Sequence, residues 1–269
     1  MKLYLDPGHG GQDPGAQGHG LDEKDVTLSI ALKLRSILQN DYENIDVKMS
    51  RSSDTTKSLS QRSSEANAWG ADFFLAIHIN SGPSSALGYE DFIYSGLSDT
   101  SKTDQYQDII HAEVMKVNQL KDRGQKKANF HVLRESNMPA LLTENGFISN
   151  DHDSALMKQS SWIQKVAQGH ANGVAKAFGL KRKPIDPPKP DSGTLFKVIA
   201  GSFKSKENAD ERVDQLKAKG IESFVDTTKI AGETWYRVQA GAFSNRGNAE
   251  DRLAEVKKAG INDAFLVAE

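Results

Sequence analysis

At 269 residues the chain has room for about two domains, and 37% hydrophobic with 26% charged residues is the make-up of ordinary globular protein. A net charge of −2 offers no general electrostatic ground for binding nucleic acid or a membrane surface. The absence of cysteine excludes disulfides and thiolate metal sites, so any metal must be held by His and carboxylate side chains.

Met1-Lys2 leads straight into the apolar run Leu3-Tyr4-Leu5 and the Gly-rich loop Asp6-Pro7-Gly8-His9-Gly10-Gly11. No long apolar stretch with a small-residue cleavage site is visible there. The expectation is a protein without a signal peptide, which would need lysis, a phage holin or non-standard export if its substrate lies outside the cell. No segment approaches the roughly 20 apolar residues of a membrane helix. Val26, Ile30, Leu34, Ile37 and Leu38 recur at helical spacing over 24–39. A strand-like stretch from Ile45 to Ser50 follows, then a helical pattern over 59–69, an apolar strand over 73–79 and another strand over 89–94. Residues 104–120 and 160–178 read as helices. Near-continuous apolar strands between helices predict an α/β domain, its mostly parallel sheet flanked by helices.

Four of the eight prolines fall within 181–193, which reads as a semi-rigid spacer. It separates a first domain, 1–180, from a second, 194–269. The second repeats itself: Phe196-Lys197-Val198-Ile199-Ala200-Gly201-Ser202-Phe203 recurs as Tyr236-Arg237-Val238-Gln239-Ala240-Gly241-Ala242-Phe243, 40 residues on. The copies run about 194–230 and 234–269, each strand–helix–strand. Two are too few for a solenoid and predict a closed α+β unit of βαββαβ order.

Four residues in the first domain stand where chemistry is expected. His9 follows the first strand between glycines, Glu23 opens the first helix, His78 closes the strand Phe73–Ile77, and Glu144 follows Ala140-Leu141-Leu142-Thr143. In open α/β sheets, ligands bind beyond the carboxyl ends of strands. Two His and one Glu form a catalytic zinc set that leaves a position for water, and a second Glu can handle protons. Each residue alone has a plainer reading: an exposed turn His, an acid favoured by a helix N-terminus, a core His, a strand-end carboxylate. His19, His111, His131, His152 and His170 have no such spacing and are read as structural or solvated.

Asp6–Gly11, Glu23-Lys24, Leu59 with Arg62 and Ala66-Asn67, Ala71-Asp72 leading to Ile77-His78-Ile79-Asn80, and Leu133-Arg134 with Met138-Pro139 leading to Glu144–Asn150 follow one another in the order of a known family. Residues 1–180 resemble the zinc-dependent N-acetylmuramoyl-L-alanine amidases of amidase-3 type. The resemblance implies that His9, Glu23 and His78 bind Zn²⁺ and that Glu144 is catalytic, and it makes Asn80 and Arg134 candidate substrate-binding residues. Residues 194–269 resemble the SPOR domain, which binds peptidoglycan glycan strands lacking stem peptides. The pairing is similar to the sporulation autolysins of Bacillus-like bacteria. Strand alternation puts Val198, Ala200, Val238 and Ala240 beneath the helices, and Lys197, Ile199, Arg237 and Gln239 on an exposed, glycan-facing platform. The resulting expectation is a peptidoglycan hydrolase, monomeric, acting in the cell wall, with no nucleic-acid partner. Two rival readings are another zinc peptidase acting on wall peptides and a non-catalytic wall-binding protein.

Overall fold

The computed structural model describes residues 1–183, 195–230 and 232–269, in two compact units, Met1–Pro184 and Ile185–Glu269. From residue 184 onward, the proline-rich spacer read at 181–193 lies outside the described residues, as does residue 194.

The first unit runs β1 (Lys2–Pro7), a small ribbon β2 (Gln17–Gly18) and β3 (Leu21–Asp22), α1 (Glu23–Asp41), β4 (Asp46–Met49), α2 (Leu59–Trp69), β5 (Phe73–Asn80), β6 (Tyr89–Tyr94), α3 (Lys102–Met115), β7 (Asp122–Ala128), α4 (His131–Arg134), β8 (Ala140–Phe147), α5 (Asp151–Met157) and α6 (Ser160–Phe178). Six strands form one sheet in the order β4-β1-β5-β8-β6-β7, parallel at every pairing except β6 with β8. The expected mostly parallel sheet is therefore present.

Its two faces differ. On the back, Leu3, Leu5, Phe73, Leu75, Ile77 and Leu141 pack with Ile30 and Leu34 of α1, Ile110 and Val114 of α3, and Trp162 and Val166 of α6. Each such side chain stabilises the fold by roughly 1.5–3 kcal/mol on burial. On the front, Tyr4, Phe74, Ala76, Ala140 and Leu142 meet Ala66 of α2 and Val132 and Leu133 of α4. Those two helices cover only the lower part of the front. Two residues beyond Ala76 and Leu142, the same pleat positions become His78 and Glu144. The polar front edge is thus the continuation of an apolar stripe past the end of its cover.

Two elements depart from the sequence reading. The helix expected over 104–120 stops at Met115. Beyond it the Asn118 side chain accepts the Leu120 N–H and the Asn118 carbonyl accepts the Trp162 indole N–H. Gln119 sits at φ +62°, which no helix continues. Strand β7 carries no periodic signal because it is an edge strand built of Asp122-Arg123-Gly124-Gln125-Lys126-Lys127-Ala128, and charge is what keeps such edges soluble. Among the described residues, no helix is long and apolar enough to cross a membrane.

The second unit runs β9 (Phe196–Phe203), α7 (Lys206–Lys217), β10 (Phe224–Ile230), β11 (Glu233–Phe243), α8 (Arg246–Lys258) and β12 (Phe265–Ala268), an antiparallel sheet ordered β10-β11-β9-β12. Val198, Ala200, Val238 and Ala240 pack with Ala209, Leu216, Ala249 and Val256 of the helices. On the opposite face, the expected exposed platform needs a correction. Ile199 and Gln239 are only 2% and 8% exposed. They sit on the two central strands, in a row reading Phe224–Gln239–Ile199–Phe265 across the sheet. The edge residues Phe224 and Phe265 are 55% and 41% exposed. Simple alternation misses this because flanking rings shelter the middle of the row. Lys197 and Arg237 remain partly exposed, both paired with Glu269.

Candidate metal centre

The loop after β1 is shaped by two buried arginines. Arg62 donates to Asp6 Oδ1 (2.6 Å), the Pro7 carbonyl (2.9 Å) and the His9 carbonyl (2.7 Å). Arg51 donates to the carbonyls of Pro7 (3.1 Å) and Gly8 (2.8 Å). These bonds hold His9 at φ +60°, a conformation that a non-glycine residue adopts only when its surroundings impose it. The buried Asp6–Arg62 pair is therefore structural, and removing one partner typically costs 3–5 kcal/mol in such settings.

His9 and His78 meet edge-on, with ring centroids 5.1 Å apart. Glu23 lies between them, its Oε2 3.1 Å from His9 Nε2 and its Oε1 3.0 Å from His78 Nδ1. The Glu23 carboxylate also accepts the N–H of Ala16 (2.8 Å) and of Ile79 (2.9 Å). The first turn of α1 leaves it free for this, because its acid reaches outward rather than capping its own helix. Asp13 holds the other face of the His9 ring, its Oδ2 2.8 Å from Nδ1. That carboxylate–imidazole contact is the support metal-bound histidines commonly have.

Space for these rings depends on glycine. A Cβ at Gly8 would lie 2.3 Å from His78 Cε1, and one at Gly15 would lie 2.6 Å from both Glu23 Oε2 and His9 Cδ2. One donor atom from each of His9, Glu23 and His78 falls within 4.8 Å of the others. Three nitrogen and oxygen donors converging at that spacing suit a divalent ion such as Zn²⁺.

Burial pushes the Glu23 carboxyl up. Hydrogen bonds from His78 and His9 and their charge outweigh it and hold the group well below the usual carboxylate range. Burial lowers His9, but Glu23 and Asp13 together raise it above an ordinary imidazole. Glu144 behaves oppositely. Burial, then the charges of Glu23 and Glu90, drive its carboxyl well above the ordinary value. Its Oε2 is buried with no hydrogen-bond partner among the described residues. Strand register sets His78 beside Glu144 and Glu144 beside Glu90. An unpartnered carboxyl oxygen next to a cation site is costly as structure and useful as a proton carrier.

The structure thus brings together His9, Glu23, His78 and Glu144. Asn80 joins them at one remove, donating from Nδ2 to Glu90 Oε1 at 2.8 Å. Arg134 does not join them. It ends α4, donates to Glu135 (2.8 Å) and Asn129 (2.8 Å), and follows Leu133, which packs with Phe74 and Ala140 beneath the front face. The chain reverses between β7 and β8, so α4 lies by the start of β8, four residues before Glu144. Sequence reasoning gave no role to Asp13, Arg51, Glu90, Arg123 or Lys126. Of these, Asp13 alone had a readable cue, a carboxylate four residues past a His within one glycine loop. The plain reading suits His170 and His111. His170 is buried between the Val166 carbonyl and the Thr143 hydroxyl, and burial lowers it to about 4. His111 is tied to Asp91 and Asp122.

A family described as N-acetylmuramoyl-L-alanine amidase matches residues 3–176, and the SPOR domain family matches residues 192–268. Over 225 residues the chain is 52% identical to the sporulation-specific N-acetylmuramoyl-L-alanine amidase of Bacillus subtilis and 49% identical to N-acetylmuramoyl-L-alanine amidase CwlM of Bacillus licheniformis, covering 84% of each chain in both comparisons. Among solved structures, the catalytic domain of CwlV, an amidase of the same name from Bacillus (Paenibacillus) polymyxa, superposes with a TM-score of 0.63 at 34% identity, covering 67% of this chain and 99% of that one.

Proposed function

The chain belongs to the N-acetylmuramoyl-L-alanine amidases, joined here to a SPOR domain, and from that membership we propose which of its residues carry the chemistry. It is a peptidoglycan hydrolase that cleaves the amide between N-acetylmuramic acid and the L-alanine of the stem peptide, and it acts at the cell wall. Residues 1–180 are assigned to catalysis and 194–269 to wall binding, in a monomeric enzyme. His9, Glu23 and His78 hold the zinc ion on which this family generally depends. The single observation that carries the assignment is the buried Glu23 carboxylate bridging two imidazoles at 3.0 and 3.1 Å, with Glu144, whose Oε2 has no partner among the described residues, one strand away.

Bound there, zinc would supply a Lewis acid for the amide carbonyl and would bring the pKa of water toward about 7. Asp13 orients the His9 ring, and the Arg51 and Arg62 bonds hold its backbone. Glu144 takes the proton of the attacking water and delivers it to the departing nitrogen of L-alanine. Burial and the flanking charges of Glu23 and Glu90 raise its carboxyl above the ordinary value, which makes it a stronger proton acceptor than a free carboxylate. Purified walls digested by the enzyme are expected to release stem peptides with a new L-alanine amino terminus and uncut sugars, and chelation is expected to stop release. Mass spectrometry of the fragments checks this. Cleavage within the peptide, or release insensitive to chelator, overturns the assignment.

On the SPOR unit, Lys197 and Arg237 are assigned to glycan binding, with Phe224 and Phe265 added as the exposed ends of the row whose middle, Gln239 and Ile199, is buried. Exposed aromatic rings give a surface on which sugar faces can stack, and the two cations can donate to sugar hydroxyls. One chain carrying both units raises the local concentration of substrate at the catalytic centre. Phe224→Ala and Phe265→Ala are each expected to weaken co-sedimentation with purified walls by about 5- to 30-fold, the usual range for losing an interface aromatic. Unchanged sedimentation of the double variant would remove this face from the proposal.

A further inference from the structure

The front face continues past Glu144 into a cluster the reaction does not require. Glu90, directly opposite Glu144 on β6, is buried and meets two cations of β7 through one oxygen, Arg123 Nε at 2.7 Å and Lys126 Nζ. Its other oxygen accepts Asn80 Nδ2. The two cations are 31% and 38% exposed, above a buried acid. No other acid is paired with either among the described residues, so the cluster presents about one uncompensated positive charge to solvent. Arg123 is also preoriented. Its guanidinium lies 4.7 Å over the Phe147 ring, with Nε on Glu90 and Nη1 on the Leu87 carbonyl. Nη2 has no protein partner among the described residues.

Resting on the amidase reading, we propose that Arg123 and Lys126 form a carboxylate subsite for the stem peptide, on the leaving-group side of the scissile amide. The polarity of the site sets this direction. The three metal-binding side chains cluster at the ends of β1 and β5 and the start of α1, while the proton carrier is on β8. The departing nitrogen must lie at Glu144, so the sugar side faces the metal and the peptide extends over β6 toward β7. Strands are spaced about 4.8 Å apart, which puts β7 roughly 10 Å beyond β8. An extended peptide advances about 3.3–3.6 Å per residue, so the acidic residue following alanine, with its side chain or carboxylate, comes within reach of the cations. A guanidinium with a free edge and a neighbouring ammonium binds that carboxylate by charge-assisted hydrogen bonds.

The test compares two soluble muropeptides identical except that the second stem residue carries a free carboxylate in one and an amide in the other. The unaltered full-length enzyme is expected to show a KM about 10-fold lower for the free carboxylate, the scale of one charged hydrogen bond. In Arg123→Gln and in Lys126→Gln that KM ratio falls toward unity, while Arg123→Lys, which keeps the charge, restores most of it. A purely structural role would lower activity on both substrates alike and leave the ratio intact, which overturns the subsite. Equal KM values for the unaltered enzyme overturn it as well. Failure of that enzyme to free the alanine amino group from either substrate would instead remove the amidase reading, and the subsite with it.

Discussion

Glu144→Gln is expected to keep about one zinc ion per chain and to lose roughly 10²–10⁴-fold in turnover on purified walls, the range attached to a positioned acid–base group. The substitution keeps the shape of the side chain and removes its capacity to carry a proton. Stability supplies the control. In the parent, Glu144 is half-buried, its Oε2 is buried with no partner among the described residues, and the group faces the charges of Glu23 and Glu90. A neutral amide relieves that burial, so the melting temperature should hold or rise, as is common when a residue selected for chemistry is replaced. Metal analysis, thermal melting and wall-release rates on one preparation check the three parts. Near-parental turnover would defeat the assignment of Glu144. A fall in melting temperature and zinc content together would mean that the side chain is structural.

The legible parts of this molecule are those written in local pattern. Apolar runs ending in His78 and Glu144 mark strands whose last residues face a ligand, and the helical spacing of Val26, Ile30 and Leu34 marks the helix that brings Glu23 to them. The order of the motifs along the chain marks the family in the sequence itself. What stayed hidden is long-range or depends on neighbours. Strand β7 has no apolar period because it is a charged edge, so Arg123 and Lys126 could not be placed beside Glu90 from sequence. Their juxtaposition comes from the parallel pairing of β7 with β6, and the antiparallel pairing of β6 with β8 then sets Glu90 beside Glu144. Arg134 reads as a candidate substrate-binding residue because it belongs to a family-like motif, yet the chain turns there and leaves it near the start of the Glu144 strand. Ile199 and Gln239 fall on the predicted face, but whether that face is wet at its centre depends on Phe224 and Phe265, which come from other strands.

Glu23→Gln separates the centre from its surroundings differently. The Glu23 carboxylate accepts from Ala16 and Ile79 N–H groups while facing both imidazoles, so each of its oxygens has an N–H partner and a histidine. A glutamine has one oxygen and one NH₂. Either orientation turns an N–H donor toward a backbone N–H in a buried place, and the negative charge that balances a divalent ion is gone. Unsatisfied buried groups of this kind cost about 1–3 kcal/mol, so the fold should weaken but survive. Zinc affinity should fall more than the roughly 10- to 100-fold typical of losing an outer-shell partner, because here a ligand itself is altered. Competition with a chromogenic chelator measures that affinity without reference to turnover. Parental affinity in a folded Glu23→Gln protein would show that the ion, if bound, sits elsewhere. The expected pairing, Glu144→Gln losing catalysis but not metal and Glu23→Gln losing both, follows from geometry alone: the first acid stands one strand away from the donor cluster and the second stands inside it.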